Sequence, residues 1–201
     1  MPGLREQWRR TAIHTITERA LDLFDERGFD AVTIEQIAAA AEVSPSSVYR
    51  YFGTKEGLLV ADDFDSLSDE DLAALVDPAD PVGSLLGSVL AYEAASDRIP
   101  APTEAGETEP TSRRRVRYFF SEPSVRMAAL ATLDRAAKRV APFLAPERGL
   151  SPTQAHVVAN ALAFGYFAAL ERWFTDGGTH PIAEYVEEGM RPLRAIWATA
   201  A

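Results

Sequence analysis

The run TIEQIAAAAEVSPSSVYRYFGTKEGLL, residues 33–59, constrains this chain more than any other stretch. Thr33 followed by Gln36 is a capping box, in which each side chain satisfies an amide left open at a helix start. Ile34, Ile37, Ala38 and Ala41 recur at helical spacing and give a first short helix one apolar stripe. Val43 plugs the turn that follows. Ser44 caps a second helix, with Pro45 at its first position, where the missing N–H costs nothing. Val48 and Phe52 form the buried side of that helix and leave Ser46, Ser47, Tyr49, Arg50 and Tyr51 outside. No acidic residue lies between Ser44 and Lys55. A short helix that buries one apolar edge and shows hydroxyls, aromatics and an arginine outward suits the major groove of DNA.

The segments TIEQIAAAAEVS, SSVYRYF and TKEGLL, spaced without gaps and placed near the N-terminus, resemble the helix-turn-helix signature of the TetR (tetracycline repressor) family of bacterial transcriptional regulators. Beyond them, only length and helical character agree with that family. The resemblance implies that Pro45, Ser46, Ser47, Tyr49 and Arg50 face the groove, and that Thr33, Tyr51 and Lys55 meet phosphates. Arg50 has the donors for a bidentate guanine contact, worth about 1–3 kcal/mol of discrimination. Tyr49 can reach a thymine methyl or a phosphate. Lys55 follows Thr54, where a fourth helix is expected to begin and run to Phe64, so helix-start amides would add to its pull on an anion. One position departs from the family: the turn residue, usually glycine, is Glu42. A side chain there in a left-handed conformation costs roughly 1 kcal/mol.

The net charge of −10 first argues against a DNA partner, but its distribution answers the objection. Residues 1–55 are net −1, residues 56–112 net −13 and residues 113–201 net +4. The acidity therefore sits away from the motif, and Arg5, Arg9, Arg10, Arg50 and Lys55 can make a local positive face. Phosphate contacts respond to potential within a Debye length of about 8 Å.

At 201 residues and 47% hydrophobic content the chain can build a sizeable core. It has no cysteine, which excludes disulfides and thiolate metal sites. Its first residues, MPGLREQWRR, lack the apolar core of a secretory signal, so a cytoplasmic location is expected. Ser151 to Leu170 carries no charge, but Gln154, His156 and Asn160 interrupt it. A buried helix explains it better than a membrane span.

The whole chain reads as all-α, with about nine helices: an N-terminal three-helix DNA-binding domain over 1–55 and a larger ligand-binding and dimerisation domain over 56–201. The first helix is expected over 7–27, with Ile13, Ile16, Ala20, Leu23 and Phe24 on one face and Gly28 ending it. Further helices are expected over 81–97, 112–121, 123–144, 151–175 and 181–199. The acidic stretch 62–80 and the proline- and threonine-rich stretch 98–112 separate them.

Tight reading of DNA by such a small module calls for pairing on a two-fold site. The family resemblance implies a seam built from the last two long helices. Ala161, Gly165 and Ala169 recur every fourth residue and would allow close helix approach, with Trp173, Tyr185 and Met190 adding bulk. The resemblance further implies an internal pocket for a small, largely apolar effector. Its candidates are Leu86, Leu90, Phe119, Phe120, Met127, Leu130, Phe164 and Phe167, each of which could equally be plain core. Arg113, Arg114, Arg115 and Arg117 stand beside Tyr118, Phe119 and Phe120. They could hold the anionic head of an acyl or acyl-CoA-like ligand, or form an exposed basic turn that balances the acidic middle.

His14, His156 and His180 sit on separate elements without metal-ligand spacing, and no phosphate loop or nucleophile motif is present. No cofactor, metal or catalysis is expected. The reading is a homodimeric repressor of a palindromic operator, released by an effector. The alternative is an acyl- or CoA-binding sensor acting through protein contacts, its DNA module vestigial.

Overall fold

A computed structural model describes residues 4–61, 67–97 and 109–199. The expected end of the fourth helix at Phe64 and most of the stretch 98–112 lie outside the described residues, as do the side chains of Arg5 and Arg10. Among the described residues the regular structure is all helix: α1 (Leu4–Arg27), α2 (Ile34–Ala40), α3 (Pro45–Phe52), α4 (Gly57–Val60), α5 (Asp69–Leu75), α6 (Pro81–Asp97), α7 (Thr111–Ser121), α8 (Pro123–Arg148), α9 (Pro152–Thr175) and α10 (Ile182–Thr199).

Three apolar clusters hold these helices. The first joins Ile16, Ala20, Leu21 and Phe24 of α1 to Phe29, Val32, Ile34, Ile37, Val48, Leu58 and Leu59. It also takes in Val125, a fully buried residue from α8, so the N-terminal helical module is plugged by a side chain more than sixty residues downstream of α4. The second packs α6 and α7 against α9 and α10 around Val89, Val116, Leu170, Trp173, Val186 and Met190. The third joins α8 to α9 through Ala137, Ala141, Leu144, Ala155 and Ala159. Phe119 packs against both the first and second clusters and bridges the two parts of the chain.

Several boundaries differ from the sequence expectation. The helix after the reading helix begins at Gly57, not Thr54: the Thr54 hydroxyl accepts from the Gly57 amide at 3.0 Å, so Thr54 to Glu56 form the turn that leads in. An additional helix, α5, lies inside the acidic stretch. Ser68 caps it by accepting from the Asp71 amide at 3.1 Å, and its first turn carries Asp69, Glu70 and Asp71, where the helix dipole favours negative charge. Helix α8 passes through Pro142 as expected and continues through Pro146 to Arg148 instead of stopping at residue 144. The burial of Ala141 and Leu144 against α9 offsets the two lost backbone hydrogen bonds, and left-handed Gly149 ends the helix.

Candidate nucleic-acid interface

The turn between α2 and α3 is a Schellman motif. The Val43 amide donates to Ala38 O at 2.9 Å and the Glu42 amide to Ala39 O at 3.2 Å, with Glu42 at φ 55°. The side chain at position 42 therefore occupies the conformation that glycine favours. The capping box is complete: the Gln36 amide donates to Thr33 Oγ1 at 3.3 Å, and the Thr33 amide donates to Gln36 Oε1 at 2.9 Å.

On α3, Val48 is fully buried and Phe52 packs on the module core. This rotation turns Ser46, Tyr49 and Arg50 to solvent, with Tyr49 49% exposed. Ser44 Oγ accepts from the Ser47 amide at 3.2 Å and is hydrogen-bonded to Ser46 Oγ and Ser47 Oγ, each at 2.9 Å. The three hydroxyls form one chain at the helix start beside Pro45. Arg50 lies over the Tyr51 ring, 4.8 Å from its centre, and its Nη2 donates to Tyr51 Oη at 3.2 Å. Tyr51 in turn packs edge-on to Phe52 and against the core. The guanidinium is thus held before any partner arrives, which lowers the entropy lost on binding.

Lys55 departs from the expectation. Its Nζ donates to Phe29 O at 2.7 Å and to Val32 O at 3.2 Å, and sits 4.3 Å from the centre of the Phe29 ring. It ties the connection after α1 to the turn after α3. Helix α4 begins at Gly57, two residues after Lys55, and the Gly57 amide is already taken by Thr54 Oγ1. The sequence hid this because the two carbonyls lie 26 and 23 residues upstream.

The arginine cluster departs from the ligand reading, and of its members Arg117 alone, on Glu109, is shown among the described residues to balance the acidic middle. Arg114 is only 6% exposed and pairs with Asp22 and Asp25 of α1. Burial alone would lower its pKa, but the charge of Asp25 and the hydrogen bonds to Asp22 and Asp25 raise it above the usual arginine range. Tyr118 donates to Asp25 Oδ1 at 2.7 Å, and its pKa is raised, first by burial and then by that carboxylate. Arg115 reaches backbone carbonyls at the end of α4, and Arg117 grips Glu109 in a bidentate pair above Trp173. Arg114, Arg115 and Arg117 are occupied within the protein.

The ligand candidates do not converge on one chamber. Phe167 is buried with its ring 4.9 Å from that of Phe120, and Leu86, Phe119, Phe120 and Leu130 are half-buried. Leu90, Met127 and Phe164 point outward, with Met127 66% exposed. On α6 the inward stripe is Val82, Leu85, Leu86 and Val89, which turns Leu90 away; on α8, Val125 and Ala129 take the inner face and leave Met127 outside. Among the described residues, two shallow apolar grooves instead lie along α9 and α10 and share Val158, Ile196 and Trp197. None of the eight candidates lines either groove.

The small-residue strip is partly spent inside the protomer. A Cβ on Gly165 would lie 2.9 Å from the Met190 sulfur, and one on Gly189 would lie 3.3 Å from the Ala169 Cβ. Gly165 and Ala169 thus let α9 and α10 of the same chain approach. Trp173 and Met190 are fully buried between these helices, with Trp173 Nε1 donating to His180 O at 2.8 Å. Ala169, Trp173 and Met190 are buried in the protomer core, and Gly165 is half-buried against α10. Tyr185 is half-buried and donates to Asp176 Oδ2 at 3.3 Å, while Ala161 is exposed beside the grooves.

A profile described as bacterial regulatory proteins, tetR family, matches residues 16–61, and one described as the MftR C-terminal domain matches residues 101–198. This chain belongs to the TetR family. Like its family, the TetR-family chain is a helix-turn-helix transcriptional regulator and not an enzyme. It is 29% identical over 192 residues to the HTH-type transcriptional regulator HbdR of Aromatoleum sp. (strain CIB), a match covering 93% of this chain and 81% of HbdR. Its fold is shared with NalD of Pseudomonas aeruginosa, the secondary repressor of the MexAB-OprM multidrug efflux pump, at TM-score 0.55 and 19% identity over 92% of this chain and 95% of NalD. It is also shared with Thermus thermophilus FadR, a TetR-family repressor solved with lauroyl-CoA, at TM-score 0.53 and 22% identity over 90% and 92% of the two chains. Among the described residues, no helix of this TetR-family regulator is long and apolar enough to cross a membrane.

Proposed function

We propose that the chain is a cytoplasmic homodimeric repressor that binds a palindromic operator and is released by a small, largely apolar effector. The observation that carries the DNA reading is the outer face of α3: Ser46, Tyr49 and a pre-stacked Arg50 exposed, with Val48 buried beneath them. Pro45, Ser47, Thr33 and Tyr51 border that face and act as its frame and phosphate neighbours. Residues 1–55 act as the reading domain and 56–201 as the sensing and pairing domain, with Val125 as the plug between them. The intact reading face supports this over a vestigial DNA module.

Pairing is supported by a stripe on α9, Val157, Ala161, Phe164 and Ala168, that repeats at helical spacing and is exposed along its length, beside exposed Ile196 of α10. Contiguous apolar surface of this kind marks an interaction site. This stripe replaces Gly165, Ala169, Trp173 and Met190 as the seam. For the effector, the FadR neighbour with lauroyl-CoA supports an acyl-type ligand, with Phe120, Phe167, Phe119 and Leu86 forming the apolar wall that would have to open around it.

The test is enrichment of duplexes from a randomised pool, followed by fluorescence anisotropy and sedimentation on the winners. The expected outcome is a two-fold-symmetric sequence bound by one dimer, with Phe164→Asp giving monomers that bind it poorly. Native mass spectrometry of freshly purified protein should reveal a co-purified effector that lowers operator affinity when added back. A pool that yields no enriched duplex would end the DNA reading.

A further inference from the structure

Glu18, Asp22 and Asp25 lie four and three residues apart on α1 and so share one helix face. Like charges so close repel unless something answers them. Arg114 answers all three from α7, far away in sequence: its Nε donates to Asp25 Oδ2 at 2.8 Å, its Nη2 to Asp22 Oδ1 at 3.0 Å, and its Nη1 lies 3.7 Å from Glu18 Oε2. The Thr111 hydroxyl donates to Glu18, and Tyr118 to Asp25. One residue along, Arg115 turns to a second target. Its Nε donates to Leu59 O at 2.7 Å, its Nη2 to Ala61 O at 2.5 Å and its Nη1 to the Tyr92 hydroxyl of α6 at 2.6 Å.

These two arginines therefore grip α1 of the reading module and the close of α4, the helix that leads out of it. The apolar plug Val125 fixes how near the module sits but is non-directional. A planar guanidinium fork on carboxylates and carbonyls fixes angle as well. We propose that Arg114 and Arg115 are positioning residues for operator binding, setting the angle of each reading module on its C-terminal domain and hence the separation of the two α3 helices in a dimer. This rests on the dimeric-operator reading above. Buried ion networks often add little net stability, so the role assigned here is geometric.

The probe is a palindromic duplex enriched by the wild-type protein, compared with the same duplex carrying one scrambled half, and with versions whose spacer is one or two base pairs longer or shorter. The variants are Arg114→Lys, which keeps the charge and loses the fork, Arg115→Met, and a full replacement of Arg114→Met with Glu18→Gln, Asp22→Asn and Asp25→Asn, which leaves no buried charge unpaired. Each is first shown to retain helical content and dimeric mass. Preference for the intact palindrome over the half-scrambled duplex should fall roughly tenfold or more, because simultaneous engagement is lost. Affinity for the half-scrambled duplex should stay near wild type, and discrimination between spacers should flatten. Folded variants that keep wild-type preference and spacer discrimination overturn the proposal, and so does an equal loss on both duplexes, which marks a merely structural role. Failure of the wild-type protein to enrich any two-fold sequence is seen without the variants, and removes the underlying reading together with this one.

Discussion

The Glu93 carboxylate of α6 caps the start of α10, accepting from the Ile182 amide at 2.9 Å through one oxygen and from the Ala183 amide at 3.1 Å through the other. A helix start leaves amides without intrahelical partners, and a carboxylate is the strongest side-chain acceptor for them. Here the cap comes from 89 residues upstream, so it fixes α6 and α10 together as well as closing a helix end. Glu93→Ala should destabilise the protein by about 1–3 kcal/mol, the range for a charge-assisted hydrogen bond left unmade. Urea unfolding measures it; a midpoint equal to wild type would mean the cap is replaced by solvent at no cost.

Glu42 occupies a left-handed position that glycine takes without strain. Glu42→Gly removes a backbone penalty of roughly 1 kcal/mol or somewhat more and adds unfolded-state entropy of about 0.5–1 kcal/mol, so a net gain of a few tenths of a kcal/mol, up to about 1, is expected. Thermal unfolding monitored by circular dichroism should show a higher Tm. A lower Tm would mean that Glu42 makes a compensating contact.

Arg50 and Lys55 should respond differently. Arg50→Ala is expected to weaken operator binding by about 1–3 kcal/mol and to relax specificity at one base step. Lys55→Ala removes two hydrogen bonds to carbonyls and should cost about 1–2 kcal/mol of stability while leaving the salt slope of DNA binding unchanged. The sequence reading, in which Lys55 meets a phosphate, requires that slope to flatten by about one unit. Anisotropy across a salt series, paired with unfolding curves, distinguishes the two.

Asp80 caps the start of α6, accepting from the Gly83 amide at 2.9 Å, and pairs with Arg194 of α10. Burial pushes its pKa up, but the Gly83 amide and the Arg194 guanidinium outweigh this and hold it below the ordinary 3.8. A depressed carboxyl contributes stability that is complete above the unfolded value and is lost as pH falls through the folded one. Asp80→Ala should therefore cost about 1 kcal/mol at neutral pH. The gap to wild type should stay open until the pH drops below 3.8 and close beneath it. A gap that persists in strong acid would mean that the loss comes from packing and not from charge.

Much of the reading module was legible because its signals are local. The capping box at Thr33 and Gln36, the left-handed residue at 42, the Ser44–Pro45 start and the inward Val48 each depend on neighbours within a few residues. Helix α5 had such a signal too, Ser68 ahead of three acids, but only Leu72 buries, which leaves too little apolar stripe to announce a helix. Pro146 read as a stop, but propensity is a weak prior and packing overrides it.

Sequence alone thus determined an all-helical chain, the second short helix of the motif and the residues on its outer face, because helix periodicity and capping are settled by groups a turn or two apart. Only the tertiary structure decided that the Lys55 ammonium is taken by carbonyls after α1, that Trp173 and Met190 belong to the protomer core, and that the arginines of α7 clasp α1 and α4. Each of those depends on which helices meet. Arg114 and Asp22 are 92 residues apart, and nothing in either one's neighbourhood names the other.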